Sequence, residues 1–398
     1  MSIIVKNDRA GDPARIRHLF GRSGQALDQL WTQSWIRDSI GPGKADLRDV
    51  DTLASELRYH SDVIVVVAGG ITGKMIQAAL TAFHDLEEKK KVVLLGDTLS
   101  SADYANLFDL IEGRNVGLLC VATEEETLAQ RAAFATMRKI LTDKYGSGAE
   151  RRMLVAAAPA AKYILEEAEG GPRCRRLAAD ARSAFAAGTE AMTLPMLAAG
   201  INAAEYLDGF REMVGSTWWD ADADRYSLFL SRYEAEDILY WQTELSGLAD
   251  WLAAVHHQIG IDARVLAAPA ELAYRRVQEQ QDPEQLSFGD LAEPDPAGEP
   301  AFVRNGAFAT QLFCEHENTD IMMPAFPGAD TDGSLNELLK SQARRIVNPS
   351  LRELMMGGAA QDISGINMSE LTPYEFGQMM AFLQISSGIT EFVRRGAE

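Results

Sequence analysis

Short, unbroken apolar runs alternate with longer stretches of helical periodicity through the first half of this chain. Val- and Leu-rich runs at 62–68, 91–95, 115–121 and 152–157 predict strands, and the segments 71–87, 101–112, 124–144 and 159–169 predict helices. Strands apolar at every position are buried on both faces, so the alternation predicts a parallel sheet covered by helices on each side. Ahead of it, Leu19, Leu27, Leu30, Trp31 and Trp35 follow helical spacing, and residues 14–60 read as helical, broken at Gly41-Pro42-Gly43 and resuming over about 47–60.

A second α/β unit starts near residue 203. Helix 203–213, strand 235–241, helix 245–258 and strand 264–268 are followed by strands at 306–316 and 319–324, a helix at 333–347 and a long apolar closing helix at 374–394. Between them, 282–300 carries four prolines among acidic and small residues and predicts a long surface loop.

Composition narrows the function classes. A length of 398 residues gives room for two or three domains, and 46% hydrophobic with 24% charged residues is the balance of an ordinary globular chain. The net charge of −20 argues against nucleic acid and anionic membrane surfaces, which attract clustered Lys and Arg. Cys120, Cys174 and Cys314 have no CxxC spacing, so neither a disulfide framework nor a zinc ribbon is expected, and a reducing cytoplasm suits them. No run approaches the roughly 20 apolar residues of a membrane-spanning helix, and no signal peptide is read.

Two strand-to-helix turns carry the candidate chemistry. The first, Val67-Ala68-Gly69-Gly70-Ile71-Thr72-Gly73-Lys74, has glycines that let backbone N–H groups approach an anion at a helix start. It departs from a P-loop at Ala68 and Met75, and tight packing alone also accounts for a Gly-Gly turn. The second, Thr123-Glu124-Glu125-Glu126-Thr127, places three carboxylates where an anion would sit. Thr123 and Glu126 have the T-x-x-E spacing of a capping box, which would start the helix at 124. A metal site is disfavoured there because three successive helical positions spread over about 200°.

Elsewhere, His256-His257-Gln258 closes an apolar helix before Gly260; adjacent histidines cannot share a metal, and favourable interaction with the helix dipole explains them. Asp220-Ala-Asp222-Ala-Asp224 lacks the Gly and Glu of a calcium loop and reads as a solvated acidic loop. No GxSxG elbow or HExxH motif is present.

The ordered segments 60–70, Gly96-Asp97-Thr98-Leu99-Ser100-Ser101-Ala102-Asp103-Tyr104 and Leu194-Pro195 through Gly200-Ile201-Asn202 resemble bacterial glucose-6-phosphate isomerase. So does Leu371-Thr-Pro-Tyr374-Glu-Phe-Gly377-Gln378 with Ser387-Gly388, which is similar to that family's closing helix. The resemblance covers about residues 55–393. It implies an α/β fold of two tandem three-layer sugar-isomerase domains with mainly parallel sheets, flanked by N-terminal and C-terminal helices. The implied boundaries are an N-terminal helical segment 1–54, domains at 55–202 and 203–368, and a closing helix at 369–398.

The resemblance further implies interconversion of glucose 6-phosphate and fructose 6-phosphate, with no metal or organic cofactor, in a cytoplasmic homodimer or in a pairing with a paralogue. That chemistry needs a positioned base and stabilisation of a charged intermediate. Gly69 and Gly70 match the first sugar-binding turn; the family's phosphate loop falls on 124–129, which keeps one hydroxyl, Thr127, and Thr123 just before it is a further candidate for substrate binding. The family's glutamate base aligns with Gln258, beside His257, and its arginine falls on Ala184 unless Arg182 reaches in. No counterpart of the ring-opening histidine or of the C-terminal lysine is recognised, so the resemblance implies a retained scaffold with weak or lost catalysis, or else a non-catalytic carbohydrate-binding or assembly subunit.

Overall fold

The computed structural model describes residues 2–6, 47–83, 91–169, 171–178, 182–215, 219–267, 307–316 and 363–395. Expectations at 14–46, 282–300, 319–324 and 333–347 lie outside the described residues.

The first unit opens with helix α1 (Leu47–Tyr59) and alternates β2 (Val63–Val67), α2 (Gly70–Ala82), β3 (Lys91–Leu95), α3 (Ser101–Ile111), β4 (Val116–Ala122), α4 (Leu128–Tyr145), β5 (Met153–Ala157), α5 (Lys162–Ala168) and β6 (Arg173–Arg176). Its five strands run parallel in the order β3-β2-β4-β5-β6. The period of two along each strand divides the core. Ile64, Val66, Leu119 and Val121 face one side, and Val63, Val65, Leu118 and Cys120 face the other, where α3, α4 and α5 cover them. This is the three-layer arrangement that the unbroken valine run predicted.

Helices α6 (Glu190–Ala199), α7 (Ala203–Gly215) and α8 (Trp219–Leu230) lead to β7 (Ala235–Tyr240), α9 (Ser246–Gln258), β8 (Asp262–Ala267), β9 (Phe308–His316), β10 (Ile363–Glu370) and α10 (Pro373–Arg395). The second sheet has the order β1-β10-β9-β7-β8, and its strands are parallel except for β1 (Ser2–Lys6), which runs antiparallel to β10. An N-terminal segment expected to be helical therefore contributes an edge strand to the second sheet. One buried core runs from Val66 of β2 through Tyr206 of α7 and Phe382 of α10 to Ile238 of β7.

Two local expectations are corrected, and two strands are added. Helix α4 starts at Leu128 rather than 124, because Thr127 is its cap and accepts the Gln130 N–H at 3.1 Å. Asp220 to Asp224 lies within α8, not in a loop. Strands β6 and β10 have no counterpart in the apolar pattern.

Helices α7 and α10 cross with backbone against backbone. A Cβ added at Gly209 would lie 1.9 Å from the Tyr374 carbonyl oxygen, and one at Gly377 would lie 2.1 Å from that of Tyr206. Only a residue without a side chain fits either position. No described helix is long and apolar enough to cross a membrane.

Candidate functional site

In an open parallel sheet, ligands bind beyond the carboxyl ends of the strands, where the strand order reverses. In the first sheet that reversal lies between β2 and β4. The two turns singled out in the sequence, Gly69-Gly70 after β2 and Thr123–Thr127 after β4, flank it. Their side chains meet directly: the Thr72 and Thr123 hydroxyls are 2.6 Å apart and buried.

The glycine turn already holds an anion from the chain itself. Gly70 has φ +58°, and its N–H donates to Asp97 Oδ1 at 2.6 Å. Added Cβ atoms at Gly69 and Gly73 would come within 3.4 Å of the Asp97 carboxylate. Gln130 closes the far side, with its Nε2 donating to the Val121 carbonyl at 2.9 Å.

The acidic turn is held the same way by partners distant in sequence. Glu124 is exposed, yet its Oε1 accepts the Ser183 N–H at 2.9 Å and the Ser183 hydroxyl at 2.6 Å. Glu126 is buried; its Oε1 accepts the Tyr163 N–H at the start of α5 at 3.0 Å and lies 3.1 Å from Arg131. Glu125 is exposed, 3.8 Å from Arg131. The reciprocal capping box expected between Thr123 and Glu126 is therefore replaced by tertiary contacts. Thr127, a predicted ligand hydroxyl, serves as the α4 cap.

Arg182 points to the closing helix. Its Nη1 and Nη2 donate to Glu391 Oε2 and Oε1 at 3.2 and 3.0 Å, and its guanidinium lies 5.0 Å from the centre of the Phe185 ring. Arg395 reaches the same Glu391 carboxylate at 2.6 Å. One turn of α10 thus ties Arg182 down, while Arg394 donates to the Gly260 carbonyl at 3.0 Å, just past α9.

His257 and Gln258 are exposed in the last turn of α9, which Gly260 ends at φ +83°. Among the described residues no hydrogen bond or ion pair joins them to Arg182; α10 is the element that contacts both neighbourhoods. Ala184 is fully buried and presents nothing to a ligand.

The titratable cluster that the sequence reading missed lies inside the second unit. His256 is not a solvated helix-end histidine: its Nδ1 pairs with Glu236 Oε2, and its Nε2 lies 3.2 Å from the Ser387 hydroxyl. Tyr226 and Thr310 donate to Glu236 Oε1 at 3.2 and 2.5 Å. All five side chains are fully buried, so this Glu–His–Ser series is sealed from solvent. Burial first, and then the Glu236 charge, push the Tyr226 hydroxyl well above the usual tyrosine range. The available signal was two acids, Glu236 and Asp237, inside the apolar strand β7. Asp237 is taken up by Arg264 at 3.1 and 2.8 Å. Cys120 offers no nucleophile either, since burial and then Glu126 push its thiol upward.

Comparison with known proteins places this geometry. No family model matches the chain. It is 25% identical over 380 residues to the glucose-6-phosphate isomerase of Symbiobacterium thermophilum, covering 88% of this chain and 79% of that protein. It is 19% identical over 393 residues to that of Mycoplasma capricolum, covering 94% and 87%. Among solved structures, a hypothetical protein from Thermus thermophilus superposes with a TM-score of 0.76 at 16% identity, covering 98% of this chain and 94% of that one. A glucose-6-phosphate isomerase from Chlamydia trachomatis superposes at 0.66 and 12% identity, covering 98% and 84%. The chain therefore has a sugar-isomerase fold and is similar in sequence, at low identity along most of its length, to proteins named glucose-6-phosphate isomerase.

Proposed function

We propose that this chain is a glucose-6-phosphate isomerase-like protein in which aldose–ketose isomerisation is weak or lost. The observation that carries the reading is Glu124, whose carboxylate takes both the N–H and the hydroxyl of Ser183 in the loop matched to phosphate binding. Asp97 occupies the Gly70 N–H in the same manner. The position aligned with the family base is Gln258, an amide that cannot accept a proton at neutral pH. A coupled assay with fructose 6-phosphate tests the reading. Turnover below about 0.01 s⁻¹ is expected, and turnover near the enzyme median of about 10 s⁻¹ would overturn it.

A second reading is a non-catalytic carbohydrate-binding or assembly subunit. The self-occupied anion donors favour a ligand less anionic than a sugar phosphate. Thermal-shift screening against sugar phosphates, neutral sugars and sugar amines separates the two, since a ligand at 100 times its Kd adds about 2.7 kcal/mol. The proposal includes the division at 55–202 and 203–368 and assembly as a homodimer or with a paralogue, which light scattering on the purified protein tests.

A further inference from the structure

Arg182 and Ser183 are neighbours in sequence, and each donates to a carboxylate from a different part of the chain. Arg182 engages Glu391 of α10 with two parallel bonds at 3.2 and 3.0 Å. Ser183 engages Glu124 of the β4–α4 turn through N–H and hydroxyl at 2.9 and 2.6 Å. Arg395 adds a second cationic donor at 2.6 Å from Glu391. A planar guanidinium paired through two N–H bonds, with a backbone N–H and a hydroxyl alongside, is the donor set that recognises a phosphate or carboxylate. The two guanidinium donors are within reach of solvent, the Arg182 side chain being 40% exposed and that of Arg395 71%, whereas Ser183 is buried beneath Glu124 and Glu391 is only 10% exposed.

We infer that Arg182, Ser183 and Arg395 form a latent oxyanion site that Glu391 and Glu124 hold closed. The two carboxylates fill the positions of an incoming anion's oxygens, so a phosphate binds only by exchange with one of them. Glu391 is thereby the residue that sets the charge selectivity of the crevice, and the closing helix is the element that carries it. The inference rests on the reading that the crevice between β2 and β4 derives from a sugar-phosphate site, and it names the residues that exclude phosphate from it.

The test is a thermal-shift titration of the full chain with inorganic phosphate, at ionic strength held constant with sodium chloride. Glu391→Gln is expected to bind phosphate about tenfold or more tightly than the unaltered chain, as befits the loss of a charge-assisted competitor. Adding Arg182→Gln to that variant is expected to abolish the gain. Equal phosphate responses in Glu391→Gln and the unaltered chain, or a gain that survives Arg182→Gln, would overturn the inference. Should Glu391→Gln not fold, Glu124→Ala at an exposed position releases Ser183 and is expected to give a gain with the same dependence on Arg182. The outcome is distinct from that of the isomerase assay: fructose 6-phosphate turnover would refute lost catalysis while leaving the phosphate comparison to be decided by itself.

Discussion

The carboxylate of Asp97 accepts the N–H of Gly70 at 2.6 Å, across 27 residues of sequence. A loop from beyond β3 thus supplies the cap that α2 lacks locally, since Gly69 has no side chain to offer. Asp97→Ala is expected to cost about 1 kcal/mol in urea unfolding, the usual value of a lost cap. An unchanged midpoint would show that water replaces the carboxylate without loss.

The Glu236–His256 pair makes a larger demand. Both side chains are fully buried, and removing one partner leaves the other's polar atoms facing a dry core. His256→Ala is expected to destabilise by about 3–5 kcal/mol. Combining it with Glu236→Gln is expected to cost less than the sum of the single changes, because the two act as one unit. Additive effects in the double-mutant cycle would mean that the pair is energetically independent.

The three glutamates of the β4–α4 turn are not equivalent. Exchanging Glu124-Glu125-Glu126 for Ser-Gly-Thr is expected to raise phosphate affinity, and unchanged affinity would count against the placement of that loop. Glu126 is the costly member, since its loss strips the Tyr163 N–H and Arg131 of a buried acceptor. Glu126→Thr alone is expected to lower stability by about 1–3 kcal/mol, while Glu124→Ser alone stays within about 1 kcal/mol of the unaltered chain.

Tyr374 supplies a pH dependence. Its hydroxyl donates to Glu212, and that hydrogen bond first, then burial, raises its pKa from 10.0 to about 12. A raised folded-state value means that the stabilisation is complete below pH 10 and is lost as the pH climbs through about 12. Tyrosinate absorbance of the wild type minus Tyr374→Phe is expected to show that late midpoint, and Glu212→Gln to bring it back toward 10. A difference titration centred near 10 in the unaltered chain would refute the assignment.

The first sheet was legible because Val63 to Val67 and Val116 to Ala122 are apolar at every position, a pattern that only a doubly covered strand tolerates. Arg173–Arg176 escaped the same reading because it is an edge strand with three arginines among its four residues, none of them fully buried. The start of α4 was misplaced for another reason. Thr123 and Glu126 have the spacing of a local cap, but Tyr163 and Ser183 compete for the turn's carboxylates, and no window of sequence contains those partners. The same limit hid His256, whose meaning depends on a glutamate 20 residues away on a different element.

The crossing at Gly209 and Gly377 bears on how the closing helix can respond to a ligand. Fourteen residues, about 21 Å of helix, separate Gly377 from Glu391. With main chain seated on main chain at one end, α10 has no freedom to roll or slide past α7, and Glu391 inherits that fixed phase. Opening the Arg182 pair is therefore a matter of side-chain rotation rather than helix travel, which sets its timescale with rotamer exchange and not with domain motion.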